Sequence, residues 1–221
     1  MLDDERILGI AGELMAQNGL ASAPVADLYL QVTRGVAPRN HAFPEGATPG
    51  VLMMAKPGRE RDATLAEKGC DVITAPDIRW GRCDVKSLNL LPNCLAKEQA
   101  HRAGAYEALL VRDGDIVSEG SSSNVFAVVN EALVTPPLDN ILPGITRQAV
   151  IRFAAGLGLP VSERPLPLGE LLAGQEAFLT GTTTEVMPIA RVNGQSIGVG
   201  RMGQVTARVY QAFAAATRVG R

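Results

Sequence analysis

Lys86 stands in the stretch Arg82-Cys83-Asp84-Val85-Lys86-Ser87-Leu88-Asn89-Leu90-Leu91-Pro92-Asn93, a lysine among small and apolar neighbours. Partial desolvation is expected there. Burial disfavours the ammonium form and lowers its pKa, which turns a lysine into a nucleophile able to form a Schiff base. Taken alone, Lys86 reads more readily as a surface lysine just past a strand. Its company shifts that reading: Ser118-Glu119-Gly120-Ser121-Ser122-Ser123-Asn124, then Pro143-Gly144-Ile145-Thr146-Arg147, then Thr180-Gly181-Thr182-Thr183-Thr184-Glu185. An amine, a carboxylate in a glycine/serine turn and two anion-cradling turns are the components from which a pyridoxal phosphate site is assembled.

Each component has its own physical rationale and its own plainer alternative. Gly144-Ile145-Thr146 opens a helix, whose unpaired N–H groups and positive dipole end can hold a phosphate. Thr182, Thr183 and Thr184 follow a strand and can add hydroxyls and N–H groups to the same anion. Singly, these read as an ordinary capped helix and an exposed threonine turn. Glu119 follows a strand; in a pyridoxal enzyme a carboxylate keeps the ring nitrogen protonated, so that the ring can act as an electron sink. Otherwise it is a turn glutamate in water. Arg39 and His41 share the loop Pro38-Arg39-Asn40-His41, two cationic-capable groups suited to a carboxylate, or simply a solvated pair. His101 falls on the polar side of a helix and reads as surface; Trp80, beside Arg79, reads as packing.

The elements that must position these residues follow from periodicity. Residues 3–17 carry Ile7, Ile10, Ala11, Leu14 and Met15 at helical spacing behind Asp3 and Asp4, with Gly19 as the stop. Residues 27–33 alternate as a half-buried strand, and 51–55 return as another after a proline-rich loop. Residues 57–62 break the pattern and read as a linker. Beyond them come a strand at 72–75, a helix at 94–103, and short strands at 106–111, 116–117, 125–129 and 133–134. Their close spacing predicts an antiparallel meander in place of parallel crossovers. A helix opens at Gly144 with Ala149, Val150, Phe153 and Leu157 inward, and a last helix covers 205–217.

The 221 residues are 46% hydrophobic and 20% charged, the composition of a folded chain with a substantial core. A net charge of −2 with scattered basic residues gives no electrostatic footprint for nucleic acid. Cys70, Cys83 and Cys94 form no Cys-x-x-Cys pair, which argues for a reducing compartment and against structural zinc. The acidic start Met1-Leu2-Asp3-Asp4-Glu5-Arg6 with no long apolar run predicts neither a secretory leader nor a membrane span, hence a cytoplasmic protein.

Residues 27–217 resemble the fold-type IV pyridoxal-phosphate aminotransferases, and within them the D-amino-acid aminotransferases. The likeness is carried by Tyr29-Leu30-Gln31-Val32-Thr33-Arg34-Gly35, Pro38-Arg39-Asn40-His41-Ala42-Phe43-Pro44, Asp77-Ile78-Arg79-Trp80, the Lys86-Ser87-Leu88-Asn89 string, Glu119-Gly120-Ser121-Ser122-Ser123-Asn124 and Gly144-Ile145-Thr146-Arg147. The Arg39-x-His41 loop points to the D-amino-acid branch over branched-chain aminotransferases and aminodeoxychorismate lyase. The resemblance implies an α+β fold in two domains. Residues 1–61 would be a remnant of the small domain, and 62–221 a larger domain with a mainly antiparallel meander or pseudo-barrel flanked by helices.

The same resemblance implies site roles. Lys86 would carry the covalent link to pyridoxal 5′-phosphate and act as the base, and Glu119 would pair with the ring nitrogen. Ile145, Thr146 and Thr182 would hold the phosphate, and no metal is implied. Arg39 and His41 would bind the substrate carboxylate from the neighbouring subunit of a homodimer, and the substrates would be a D-amino acid and a 2-oxo acid. The family's first strands, with an arginine for the phosphate and a tyrosine near the substrate, have no counterpart here. A start assigned too late and a shortened protein with weakened cofactor affinity both fit that gap, as does a non-catalytic fragment.

Overall fold

A computed structural model describes residues 3–217; Met1 and Leu2, part of the stretch read as lacking a leader, lie outside the described residues. The chain divides into two compact units, Met1–Glu60 and Arg61–Arg221.

The first unit holds α1 (Asp4–Gln17), β1 (Ala26–Thr33) and β2 (Gly50–Pro57). Asp3 caps α1 by accepting the Arg6 N–H at 2.9 Å, and Asp4 and Glu5 place negative charge in the first turn. β1 and β2 pair antiparallel from Ala26 opposite Pro57 to Thr33 opposite Gly50. Leu28, Leu30 and Val32 are exposed, so the half-buried face expected for this strand is absent.

The second unit begins with α2 (Ala63–Lys68), a helix that six residues of sequence carry too little periodicity to announce. Asp62, read as the end of a linker, is its N-cap and accepts the Leu65 N–H at 2.9 Å. There follow β3 (Cys70–Pro76), α3 (Leu91–Arg102), β4 (Glu107–Arg112), β5 (Ile116–Gly120), β6 (Asn124–Val129), β7 (Ala132–Thr135) and α4 (Ile145–Gly156). The unit ends with β8 (Val161–Glu163), β9 (Leu166–Pro167), α5 (Leu168–Ala173), β10 (Glu176–Gly181), β11 (Glu185–Val192), β12 (Gln195–Ser196) and α6 (Gln204–Thr217). The main sheet runs β8-β7-β6-β10-β11-β3-β4-β5-β9, with β12 beside β11.

Most pairings are antiparallel, but β3 lies parallel to both β4 and β11, and β7 parallel to β8. The mainly antiparallel arrangement expected from spacing holds for β4 with β5 and for β6 with β7, and the parallel pairings enter through β3 and β8. The connection from β3 to β4 contains α3 and is long enough for a crossover, which short, tightly spaced strands do not reveal. Ala96 and Ala100 of α3 pack on Ala75, Ala108 and Leu110 of those strands, where small side chains permit close approach.

Farther along the sheet, α4 and α6 bury Val150, Ala154, Val209 and Phe213 against Phe126 and Phe178, whose rings stack at 5.0 Å. The amino end of α6 is closed by Glu176, which accepts the Val205 and Thr206 N–H groups at 2.9 and 2.7 Å. Phe126→Ala removes a fully buried ring from this layer and is expected to cost about 3–5 kcal/mol, read from the denaturant midpoint; a loss below about 1 kcal/mol would contradict this packing.

Candidate active site

One cavity of about 680 Å³ in the second unit gathers most of the residues whose chemistry was singled out. Lys86, Glu119, Gly144, Ile145, Thr146 and Thr182 all line it. Its size suits a cofactor-sized ligand. Arg39 and His41 lie in the exposed loop between β1 and β2 of the first unit.

Glu119 is built deepest. It is the penultimate residue of β5, is 4% exposed, and its two oxygens accept from Arg79 Nη1, from Asn124 Nδ2 at 3.0 Å and from the Leu142 N–H at 3.3 Å. Burial raises its pKa above the ordinary carboxylate value, and the bond and charge of Arg79 work against that rise. Arg79 is shared: Nε and Nη2 grip Asp77 at 2.8 Å each, while Nη1 reaches Glu119. Asp77 also accepts from Ser118 Oγ at 2.7 Å and Arg112 Nε at 3.2 Å. Burial opposes the charge of Asp77, but the Arg79 and Ser118 hydrogen bonds together outweigh it and hold the carboxyl well below its usual range.

Beside Glu119, the Ser121–Ser123 turn is wrapped around Glu107, a second buried carboxylate, which is 1% exposed. Glu107 accepts from Ser121 Oγ, from Ser122 Oγ at 2.8 Å, from Ser123 Oγ at 3.2 Å and from the Ala108 N–H at 2.9 Å, with Lys97 Nζ 3.5 Å away. Gly120 is required in this turn, because a Cβ there would meet Ser123 Oγ at 2.3 Å. Asn93 of α3 fastens the turn from outside by donating to the Ser121 carbonyl at 2.8 Å.

The amino end of α4 opens on the same cavity. Gly144 is its N-cap and no side chain caps it, so the first N–H groups of a twelve-residue helix are left for an anion. A Cβ at Gly144 would come within 2.2 Å of Asn124 Oδ1, the residue that also holds Glu119. Thr146 is buried, and Ile145 is 72% exposed at the cavity wall, where its backbone can be offered to a ligand. Thr182 sits exposed in the turn between β10 and β11.

Lys86 differs from expectation. It lies in the irregular segment between β3 and α3, at the cavity wall but exposed, so the desolvation predicted from its apolar neighbours is not supplied by the fold. Val85, Leu88 and Leu90 are themselves exposed and shield nothing. Trp80 is likewise corrected: it is 44% exposed and lines the cavity instead of packing a core. His101 is on the surface, its side chain 83% exposed. Sequence reasoning passed over Arg79 and Glu107. The Asp77-x-Arg79 spacing at a strand end, and a lone acid inside the otherwise apolar Ala105–Leu110 run, were the available signals. Among the described residues no His, Cys, Asp or Glu group is arranged to hold a metal ion, and no helix is long and apolar enough to cross a membrane.

Arg79→Gln removes the cation that two buried carboxylates share, and is expected to cost about 3–5 kcal/mol at neutral pH. In the wild type, the depressed pKa of Asp77 gives stability that is present above its unfolded value of about 3.9 and lost as pH falls below it. In the variant, burial without the guanidinium disfavours the charged form of both carboxylates, so its deficit grows as pH rises through the carboxylate range. Denaturation curves at pH 4 and pH 7 check this; a deficit that does not change with pH would contradict it.

The model for the family described as Amino-transferase class IV matches residues 2–192. The chain is 45% identical over 191 residues to the D-alanine aminotransferase of Bacillus licheniformis, an alignment covering 84% of this chain and 65% of that protein. It is 42% identical over 212 residues to the D-alanine aminotransferase of Listeria monocytogenes, covering 95% and 72%. The chain thus spans about two thirds to three quarters of these relatives' lengths. In structure it is similar to the branched-chain amino acid aminotransferase of Escherichia coli, with a TM-score of 0.83 and 29% identity over 99% of this chain and 75% of that one. The branched-chain amino acid aminotransferase of Thermobaculum terrenum, solved in its PLP-bound form, gives a TM-score of 0.78 at 27% identity, over 96% and 70%. The family match over most of the chain and the 42–45% identity to these relatives show that the chain belongs to the class IV aminotransferase family.

Proposed function

We propose that this chain is the larger part, or the whole, of a D-amino-acid aminotransferase that uses pyridoxal 5′-phosphate and passes an amino group from D-alanine or a similar D-amino acid to a 2-oxo acid. One observation carries the reading: Lys86, Glu119, the open end of α4 and the Thr182 turn face a single cavity. Its donors and acceptors fit the cofactor, with an uncapped helix end for the phosphate and a buried acceptor for a protonated ring nitrogen.

When bound, the cofactor supplies a cationic ring that accepts the electrons left on the substrate Cα. The chain's own residues do the rest. The Ile145 and Thr146 N–H groups and the Thr182 hydroxyl would hold the phosphate. Glu119 would hold the proton on the ring nitrogen, with the hydrogen bond and charge of Arg79 favouring its anionic form against the rise that burial produces. Lys86 would hold the cofactor through Nζ, and the same amine at the cavity wall would serve as general base for the Cα proton. Its exposed position gives the amine freedom to swing between those tasks.

Arg39 and His41 bind the substrate α-carboxylate, in a homodimer by way of the neighbouring subunit, and the enzyme works in the cytoplasm. The D-alanine specificity of the named relatives and the Arg39-x-His41 spacing support the D-isomer. The similar solved structures are branched-chain enzymes, which makes L-leucine the informative rival.

Incubating the chain with 2-oxoglutarate and either D-alanine or L-leucine separates the two. D-alanine is expected to give pyruvate and D-glutamate, and turnover of L-leucine alone would overturn the assignment. Lys86→Ala is expected to lower kcat by about 10²–10⁴-fold or more, the range for losing a positioned general base, with the covalent role adding to it. Full activity in that variant would remove Lys86 from the mechanism.

A further inference from the structure

The turn that carries Thr182 is held in an unusual way. β10 and β11 pair through Gly181 opposite Glu185, so Thr182, Thr183 and Thr184 form the connecting loop. Glu185, which closes it, has φ of 54°, in the left-handed region that residues other than glycine enter at a steric cost. Such a conformation persists only where its surroundings over-determine it, and it is concentrated at functional sites.

Here the surroundings are Arg61. Its Nη1 donates to Glu185 Oε2 at 3.1 Å, and its Nη2 donates to the Val186 carbonyl at 2.9 Å. Its guanidinium also lies 3.5 Å above the ring of Tyr210 in α6. The Arg61 side chain is only 12% exposed and that of Glu185 24%. One planar cation therefore fixes a side chain and the next backbone carbonyl at the same corner, while an aromatic face fixes the cation. A guanidinium can do this and an ammonium cannot, because its donors are rigidly forked and its plane stacks. Thr184, the residue before the corner, is buried, so the loop has one anchored end, and Thr182 projects from the other toward the cavity.

We infer that Arg61 and Glu185 are positioning residues that set the Thr182 turn for the cofactor's phosphate, acting through the backbone and touching no ligand. The inference rests on the proposed role of Thr182. Loss of the clamp lets the loop relax away from the strained corner, and the phosphate end loses its partners while the ring end, held by Glu119 and Lys86, does not. The two ends can be read apart with two probes: pyridoxal 5′-phosphate and pyridoxal, which lacks the phosphate.

Binding of each probe to the full apo chain is followed by absorbance and by quenching of Trp80, for the wild type and for Arg61→Lys, Arg61→Ala and Glu185→Ala. Glu185→Ala removes the clamp's anchor while its Cβ keeps the corner strained, so the loop is free to relax. All three variants are expected to bind pyridoxal 5′-phosphate about tenfold or more weakly, the loss typical of a charge-assisted hydrogen bond, with pyridoxal affinity unchanged. If the wild type binds the phosphorylated form normally and the variants lose both forms equally, or neither, the positioning role is overturned and the cofactor reading stands. If the wild type binds neither form, the cofactor reading fails and the inference falls with it.

Discussion

A single guanidinium shared between two buried carboxylates is the constraint on which the site depends. Arg79 joins Asp77, just past the end of β3, to Glu119 at the end of β5, and all three side chains are almost fully out of water. Two carboxylates in that setting would each take up a proton, but with Arg79 between them and Arg112 on Asp77 they form a nearly neutral cluster. Its geometry also fixes where the chain goes next. The segment carrying Lys86 leaves from Arg79, and Leu142, which leads into α4, docks its N–H on Glu119. The lysine segment and the helix end are thereby measured from the same acid.

Around that centre the fold repeats one device: a buried or half-buried acid gathers a turn whose shape matters. Glu107 collects the hydroxyls of Ser121, Ser122 and Ser123, and Glu176 closes the start of α6. Each carboxylate has several donors to satisfy it, which is the condition under which burying a charge is tolerated. Rigid acid-centred turns suit a site that must hold a planar ligand at both ends.

Much of this was legible in the sequence, for reasons that differ by residue. α1 and α6 follow from apolar spacing, and Asp3 announces its helix as a cap. The glycine/serine turn after Glu119 and the Gly144 opening of α4 are local patterns, so they could be read without the fold. The direction of β3 against β4 could not, because short strands look the same whether parallel or antiparallel. Nor could the partners of Arg79 and Arg61, which meet acids 40 and 124 positions away. Lys86 misled in the opposite direction: apolar neighbours in sequence suggested burial, but those side chains are exposed and leave the lysine in water.

Resemblance at the level of fold leaves the substrate open, since similar structures act on branched-chain amino acids while similar sequences act on D-alanine. The proposed attachment of the cofactor at Lys86 does not depend on which substrate is used, and it is the most direct test. Treating the chain with pyridoxal 5′-phosphate and borohydride, then mapping the modified peptide by mass spectrometry, is expected to place the phosphopyridoxyl group on Lys86 alone. A label on Lys97 or another lysine, or no label at all, would contradict the assignment of this cavity.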